Sequence, residues 1–145
     1  MALNGYESHC KPHQKIIVSR DHGNQQSHTA NNIDNDEVYQ YRIDGEVITE
    51  GLRCDFLVWN ETKQHIYFIE LKGSDVAHAL DQIDATEDNL RKRFSSEINS
   101  CSEISYRIIL NRTKNIKLYS NKEKRFKNKH LGDLRFGARS YNENI

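Results

Sequence analysis

Two acids and a lysine near the middle of the chain have types and spacing suited to metal-assisted chemistry. Asp55 is followed, after fourteen residues, by Glu70-Leu71-Lys72. The run ahead of that triplet, HIYFI at 65–69, has no consistently polar side and reads as a strand buried on both faces. On a strand Glu70 and Lys72 share one side while Leu71 takes the other. Asp55 opens the preceding apolar run, and a turn through NETK at 60–63 sets the start of that strand beside the end of the next, so Asp55 falls next to Glu70. Two carboxylates at the edge of an apolar core repel, and each is driven toward its protonated form unless a cation sits between them. A divalent cation resolves the conflict, and carboxylate oxygens without His or Cys favour Mg²⁺ or Mn²⁺ over zinc. Lys72, a further cation on the same side, is placed to orient a water or lower its pKa.

Several elements must position these residues. VYQYRI and EVI flank Asp44-Gly45, a dipeptide suited to a type I′ hairpin, so with the runs at 54–59 and 65–71 a β-meander is expected. Ser74 or Asp75 caps a helix in which Val76, Leu80, Ile83, Leu90 and Phe94 recur at helical spacing. YRIIL at 106–110 is a further strand, a basic helix is expected over about 116–130, and an extended segment over 133–139. Residues 15–19 read as a short strand, and 21–36 (DHGNQQSHTANNIDND) as a polar, mobile loop without periodicity. The expectation is one domain over 1–145 of α/β (α+β) class: a poorly defined segment at 1–36, a core at 37–110 with a mixed central sheet flanked by helices, and a basic part at 111–145.

RCDFLVW, FIELKGSDVAHALDQI and YRIIL, in the order strand, strand, strand, helix, strand from Val38 to Leu110, resemble the PD-(D/E)XK nuclease superfamily and, more narrowly, small stand-alone proteins within it. The resemblance covers about half of the chain and implies a restriction-endonuclease-like core. It implies that Asp55 and Glu70 hold Mg²⁺ or Mn²⁺ with the Leu71 carbonyl, that Lys72 positions or helps deprotonate the attacking water, and that Gln82 matches a glutamine found after the motif in several branches. Cys54 stands where the motif's name has proline. No helix is legible ahead of the first strand, where many members supply another acid. Asp44, Glu46 and Glu50 are candidates for it, Asp44 favoured by the resemblance, with a turn role as the alternative. The function implied is metal-dependent hydrolysis of phosphodiesters, in DNA before RNA. The alternative is a silent module on the same fold that binds nucleic acid or a partner protein. A homodimer is compatible, since many such enzymes cut two strands with two subunits.

Composition sets the remaining limits. Hydrophobic residues at 36% and charged ones at 29% make a polar chain that still has enough Ile, Leu, Tyr and Phe for a core. No apolar run is long enough to span a bilayer and no signal-like segment opens the chain, so a cytoplasmic protein without membrane contact is expected. Cys10, Cys54 and Cys101 are widely spaced and read as free thiols. The net charge of zero conceals a split: residues 1–100 carry 10 Lys and Arg against 17 Asp and Glu, and 101–145 carry 11 against 4, giving −7 and +7. Either the halves are self-complementary, or the basic part grips a polyanion through Lys117, Lys122, Lys124, Arg125, Lys127 and Lys129. His9, Cys10, His13, His22 and His28 match no closed zinc spacing.

Overall fold

The computed structural model describes residues 2–23, 25–72, 75–111 and 120–145. Its elements are β1 (Ile16–Arg20), β2 (Ser27–Asn31), β3 (Val38–Arg42), β4 (Phe56–Asn60), β5 (His65–Leu71), α1 (Val76–Arg93), α2 (Ser95–Asn99), β6 (Glu103–Leu110), α3 (Ser120–Lys129), β7 (Asp133–Ala138) and β8 (Ser140–Asn144). The strands form one mixed sheet in the order β1-β2-β8-β7-β6-β5-β4-β3, giving an α+β architecture. β3, β4 and β5 make an antiparallel meander, and β5 passes through α1 and α2 to the parallel β6. β5 is central and its side chains alternate between two cores. Ile66 and Phe68 join Leu57, Trp59 and the α1 residues Val76, Ala79, Leu80, Ile83 and Leu90. Tyr67, Ile69 and Leu71 join Phe56, Val58 and Ile109 on the other face. That second core also contains Ile17 of β1 and Ala30 of β2. The sheet therefore curls, far enough that Gln40 Nε2 of β3 donates to the Val18 carbonyl of β1 at 2.9 Å although the two strands are opposite edges.

Local expectations and structure differ in three places. The polar stretch 21–36 contains β2, whose sequence SHTAN has little strand character; pairing with β1 on one side and β8 on the other holds it. Gly45 does turn at φ 87°, but residues 46–48 form no hairpin strand. β3 pairs with β4 instead, because Val47 and Ile48 are buried in the helix-side core. Finally, the extended C-terminal segment is two strands, β7 and β8. Other expectations match: Asp75 Oδ1 accepts from His78 N at 2.9 Å and caps α1, and the basic helix exists as α3. Cys10, Cys54 and Cys101 are free. Among the described residues no helix is long and apolar enough to cross a membrane.

Part of the charge split is neutralised internally, where α3 lies on α1. Lys122 pairs with Asp81 at 2.7 Å, and Lys129 with Asp84 at 2.8 Å and Asp88 at 3.0 Å. Behind them the buried His130 ring meets Asp84 at 2.6 Å and Glu87 at 3.2 Å, and Tyr106 donates to Glu87. Burial opposes charge on both groups, yet the His130 hydrogen bond, with those from Tyr106 and Arg91, holds Glu87 down at about 2, and the Glu87 and Asp84 bonds carry His130 above its ordinary 6.5. The depressed Glu87 contributes stability above 4.5 that is lost as pH falls toward about 2; the raised His130 contributes stability below 6.5 that is lost as pH rises through its folded pKa. Melting temperatures across pH should therefore show a contribution from this pair that is full between 4.5 and 6.5 and declines on both sides. His130→Gln should flatten the alkaline decline, and an unchanged alkaline limb would show that the pair carries none of it.

Candidate active site

The antiparallel register of β4 and β5 creates the site. Phe56 lies opposite Ile69, so Asp55, one residue before β4, comes opposite Glu70, and its N–H donates to the Ile69 carbonyl at 3.2 Å. By strand alternation Glu70 shares the helix-side face with Phe68, and the Asp55 carboxyl reaches it from the start of β4. Asp55 is 9% exposed and Glu70 2%. Asp55 Oδ2 accepts from Leu71 N at 2.8 Å, the two carboxyls lie within hydrogen-bond reach of each other, and Glu70 Oε1 is buried with no hydrogen-bond partner among the described residues. Burial pushes both acids up; the Asp55 charge and hydrogen bond raise Glu70 further against the pull of Lys72, while the Leu71 N–H limits the rise at Asp55. Two carboxylates this close resist ionising together, so the charged state of the pair is disfavoured.

Around this pair the structure sorts the expected residues. Lys72 follows Glu70 on the same face, half-buried, its N–H on the Ile109 carbonyl at 2.9 Å. Among the described residues no carboxylate lies within ion-pairing distance of its ammonium, although its charge acts on Glu70. Leu71 turns its side chain into the opposite core. Gln82 sits on α1 and donates to the Arg53 carbonyl at 3.0 Å, with its Oε1 buried and without a partner among the described residues; one turn on, Thr86 Oγ1 accepts from Cys54 N at 2.7 Å. Gln82 and Thr86 together fix the backbone that delivers Asp55. Asp44 lies beside the site, its N–H 3.4 Å from the Asp55 carbonyl, and its side chain pairs with Arg53 at 2.6 Å in the turn.

The acid that approaches the pair instead is Asp21, just past β1, within hydrogen-bond reach of Asp55 and paired with Arg42 at 3.0 Å. Its neighbour Gln26 donates to Asn111 and, at 3.4 Å, to the Lys72 carbonyl, so the N-terminal hairpin touches both halves of the site. The one local signal for Asp21 is the alternation of Ile17, Ser19 and Asp21 along β1; the curl that delivers it has none.

The donor set fits a hard divalent cation. It offers carboxylate oxygens, one of them buried with no partner among the described residues, and Mg²⁺ is commonly held by one or two carboxylates while keeping several waters. Among the described residues no group of three or more His, Cys, Asp and Glu is gathered for a metal. The N-terminal histidines are dispersed: His9 meets Glu46, His13 the Asn35 carbonyl, and His28 Glu143. Of the proposed polyanion contacts, Lys122 and Lys129 face α1, Lys127 pairs with Glu123 at 3.1 Å, Lys124 and Arg125 are exposed, and Lys117 lies outside the described residues. Compared with known protein families, curated proteins and solved structures, the chain matches none.

Proposed function

We propose that the chain is a Mg²⁺- or Mn²⁺-dependent nuclease on a restriction-endonuclease-like core, hydrolysing phosphodiester bonds in DNA before RNA. The observation that carries this reading is the buried Asp55–Glu70 pair at the ends of adjacent central strands, with Lys72 on the same face. The order β3, β4, β5, α1, β6 supports it. Asp55 and Glu70 would hold the ion, which when bound lowers the pKa of a water and neutralises charge developing on the phosphate. Leu71 N–H orients Asp55, and the Gln82 and Thr86 contacts keep its strand in place. Lys72 sets a positive charge beside the attacking water and the phosphate oxygens, orienting the one and stabilising the other. In-line attack breaks the P–O3′ bond, the proton ends on O3′, and a 5′-phosphate and a 3′-hydroxyl result.

Plasmid, linear and single-stranded DNA, and RNA, incubated with Mg²⁺, Mn²⁺ or EDTA, test the proposal. Cleavage with either ion and none in EDTA is expected; intact substrates throughout would overturn it. One second reading is a module that binds nucleic acid without cutting, in keeping with the exposed Lys124 and Arg125 of α3. Retention of the same substrates without cleavage would support that reading.

A further inference from the structure

The α1–α3 contact has an unusual composition. Asp81, Asp84 and Asp88 follow one another on one face of α1 over about 10 Å of helix, and they take Lys122, Lys129 and His130. Apolar attachment is slight: of the described side chains of α3 and the residue after it, only Phe126 and His130 are buried, and a cleft of about 300 Å³ remains between the helices, lined by Leu80, Asp81, Lys122 and Phe126 among others. The lysine pairs are open to solvent, with Lys129 53% and Asp88 46% exposed. Such pairs contribute little to stability and exchange partners readily. Their removal therefore leaves the fold standing but changes which anion the lysines meet. Beside them Lys124 and Arg125 are exposed with no carboxylate of the described residues in ion-pairing range, so the cations of α3 divide into a covered set and a free one.

We propose that the acidic face of α1 is a built-in competitor for nucleic acid: it covers Lys122 and Lys129, and a phosphate backbone that engages α3 must displace Asp81 to reach Lys122 and both Asp84 and Asp88 to reach Lys129. This rests on the reading of nucleic acid as substrate and adds a restraint on its binding. Backbone affinity grows with each cation that releases a counterion, so a covered pair of lysines lowers both affinity and its salt dependence.

The test is binding of a fluorescent DNA duplex, in EDTA so that nothing is cut, across a salt series. Asp81→Asn/Asp88→Asn is compared with Glu7→Gln/Glu97→Gln, which removes the same charge at acids without ion pairs among the described residues. Melting curves check that all forms are folded. The α1 variant should bind roughly threefold more tightly than the control, with a log–log salt slope steeper by about 0.9, one contact from Lys122, since Asp84 still holds Lys129 at 2.8 Å. Equal affinities and slopes would overturn the proposal, as would a wild type and variants that bind no duplex at any salt. Failure of the nuclease reading looks different: binding that responds to Asp81 and Asp88 as expected, with no cleavage under any metal.

Discussion

Asp55→Asn and Glu70→Gln are each expected to lower metal-dependent cleavage by roughly a thousandfold or more, and Lys72→Ala by about a hundredfold. The amide variants keep shape and most local hydrogen bonding. Asp55→Asn still presents a side-chain oxygen to Leu71 N–H, which the native Oδ2 meets at 2.8 Å, so the strand end keeps its geometry and loses only charge. A loss of rate therefore reports on the chemistry of the carboxylate. Lys72 is half-buried, with a backbone fixed by Ile109, and truncation removes its ammonium without opening a cavity in the core. Initial rates on a common substrate, beside circular dichroism and melting curves showing a folded protein, measure the effect. Near wild-type rates in either carboxylate variant would remove the assigned mechanism.

Arg107→Ala should have the largest effect on stability, about 3–5 kcal/mol, or roughly 10 °C in melting temperature. The Arg107 guanidinium is 3% exposed and lies 5.7 Å from the ring centres of both Tyr67 and Tyr141. It binds Glu143 through Nε at 2.8 Å and Nη2 at 3.0 Å, and donates to the Asp133 carbonyl at 2.7 Å. Burial would raise the Glu143 carboxyl, but His28 and Arg107 hold it at about 2. Removing Arg107 leaves that carboxylate short of a partner in a closed site, which costs more than the pair contributes. The loss should spread, because β8 is the strand on which β2 and the N-terminal hairpin hang. Adding Glu143→Leu to Arg107→Met should recover much of the stability, since an apolar pair leaves no buried charge. Melting curves of the single and double variants measure both statements; a Tm for Arg107→Ala within about 2 °C of wild type would contradict the first.

The central pair is legible in the sequence because two strong local signals coincide there. An apolar run through Ile66 to Ile69 marks a doubly buried strand, and the period of two assigns Glu70 and Lys72 to one face. The helix after Asp75 is legible for the same reason, from Val76, Leu80, Ile83 and Leu90. β2 and β8 are not, since SHTAN and SYNEN carry few apolar side chains and are held by neighbouring strands from distant parts of the chain. Asp21 is hidden by that same curl, which no local pattern encodes. The basic helix is legible from its lysines, whereas its partner is written elsewhere in the chain. Asp81, Asp84 and Asp88 stand at helical spacing, and as one face they account for the part of the charge split that is self-complementary.

If Asp55 and Glu70 are held together to share a divalent cation, melting curves with and without metal register that binding without a known substrate. A carboxyl whose folded pKa is raised by burial and a like charge destabilises the fold at neutral pH, and Asp55→Asn removes that penalty. For a dissociation constant of about 1 mM and roughly tenfold excess ion, binding to the folded state alone adds about 1.4 kcal/mol, a rise of roughly 3–5 °C. Wild type should gain that rise with Mg²⁺ or Mn²⁺ over EDTA. Asp55→Asn should melt above wild type in EDTA and gain little or nothing from either ion. An Asp55→Asn protein that melts lower than wild type in EDTA and still gains as much from the metal would contradict the account.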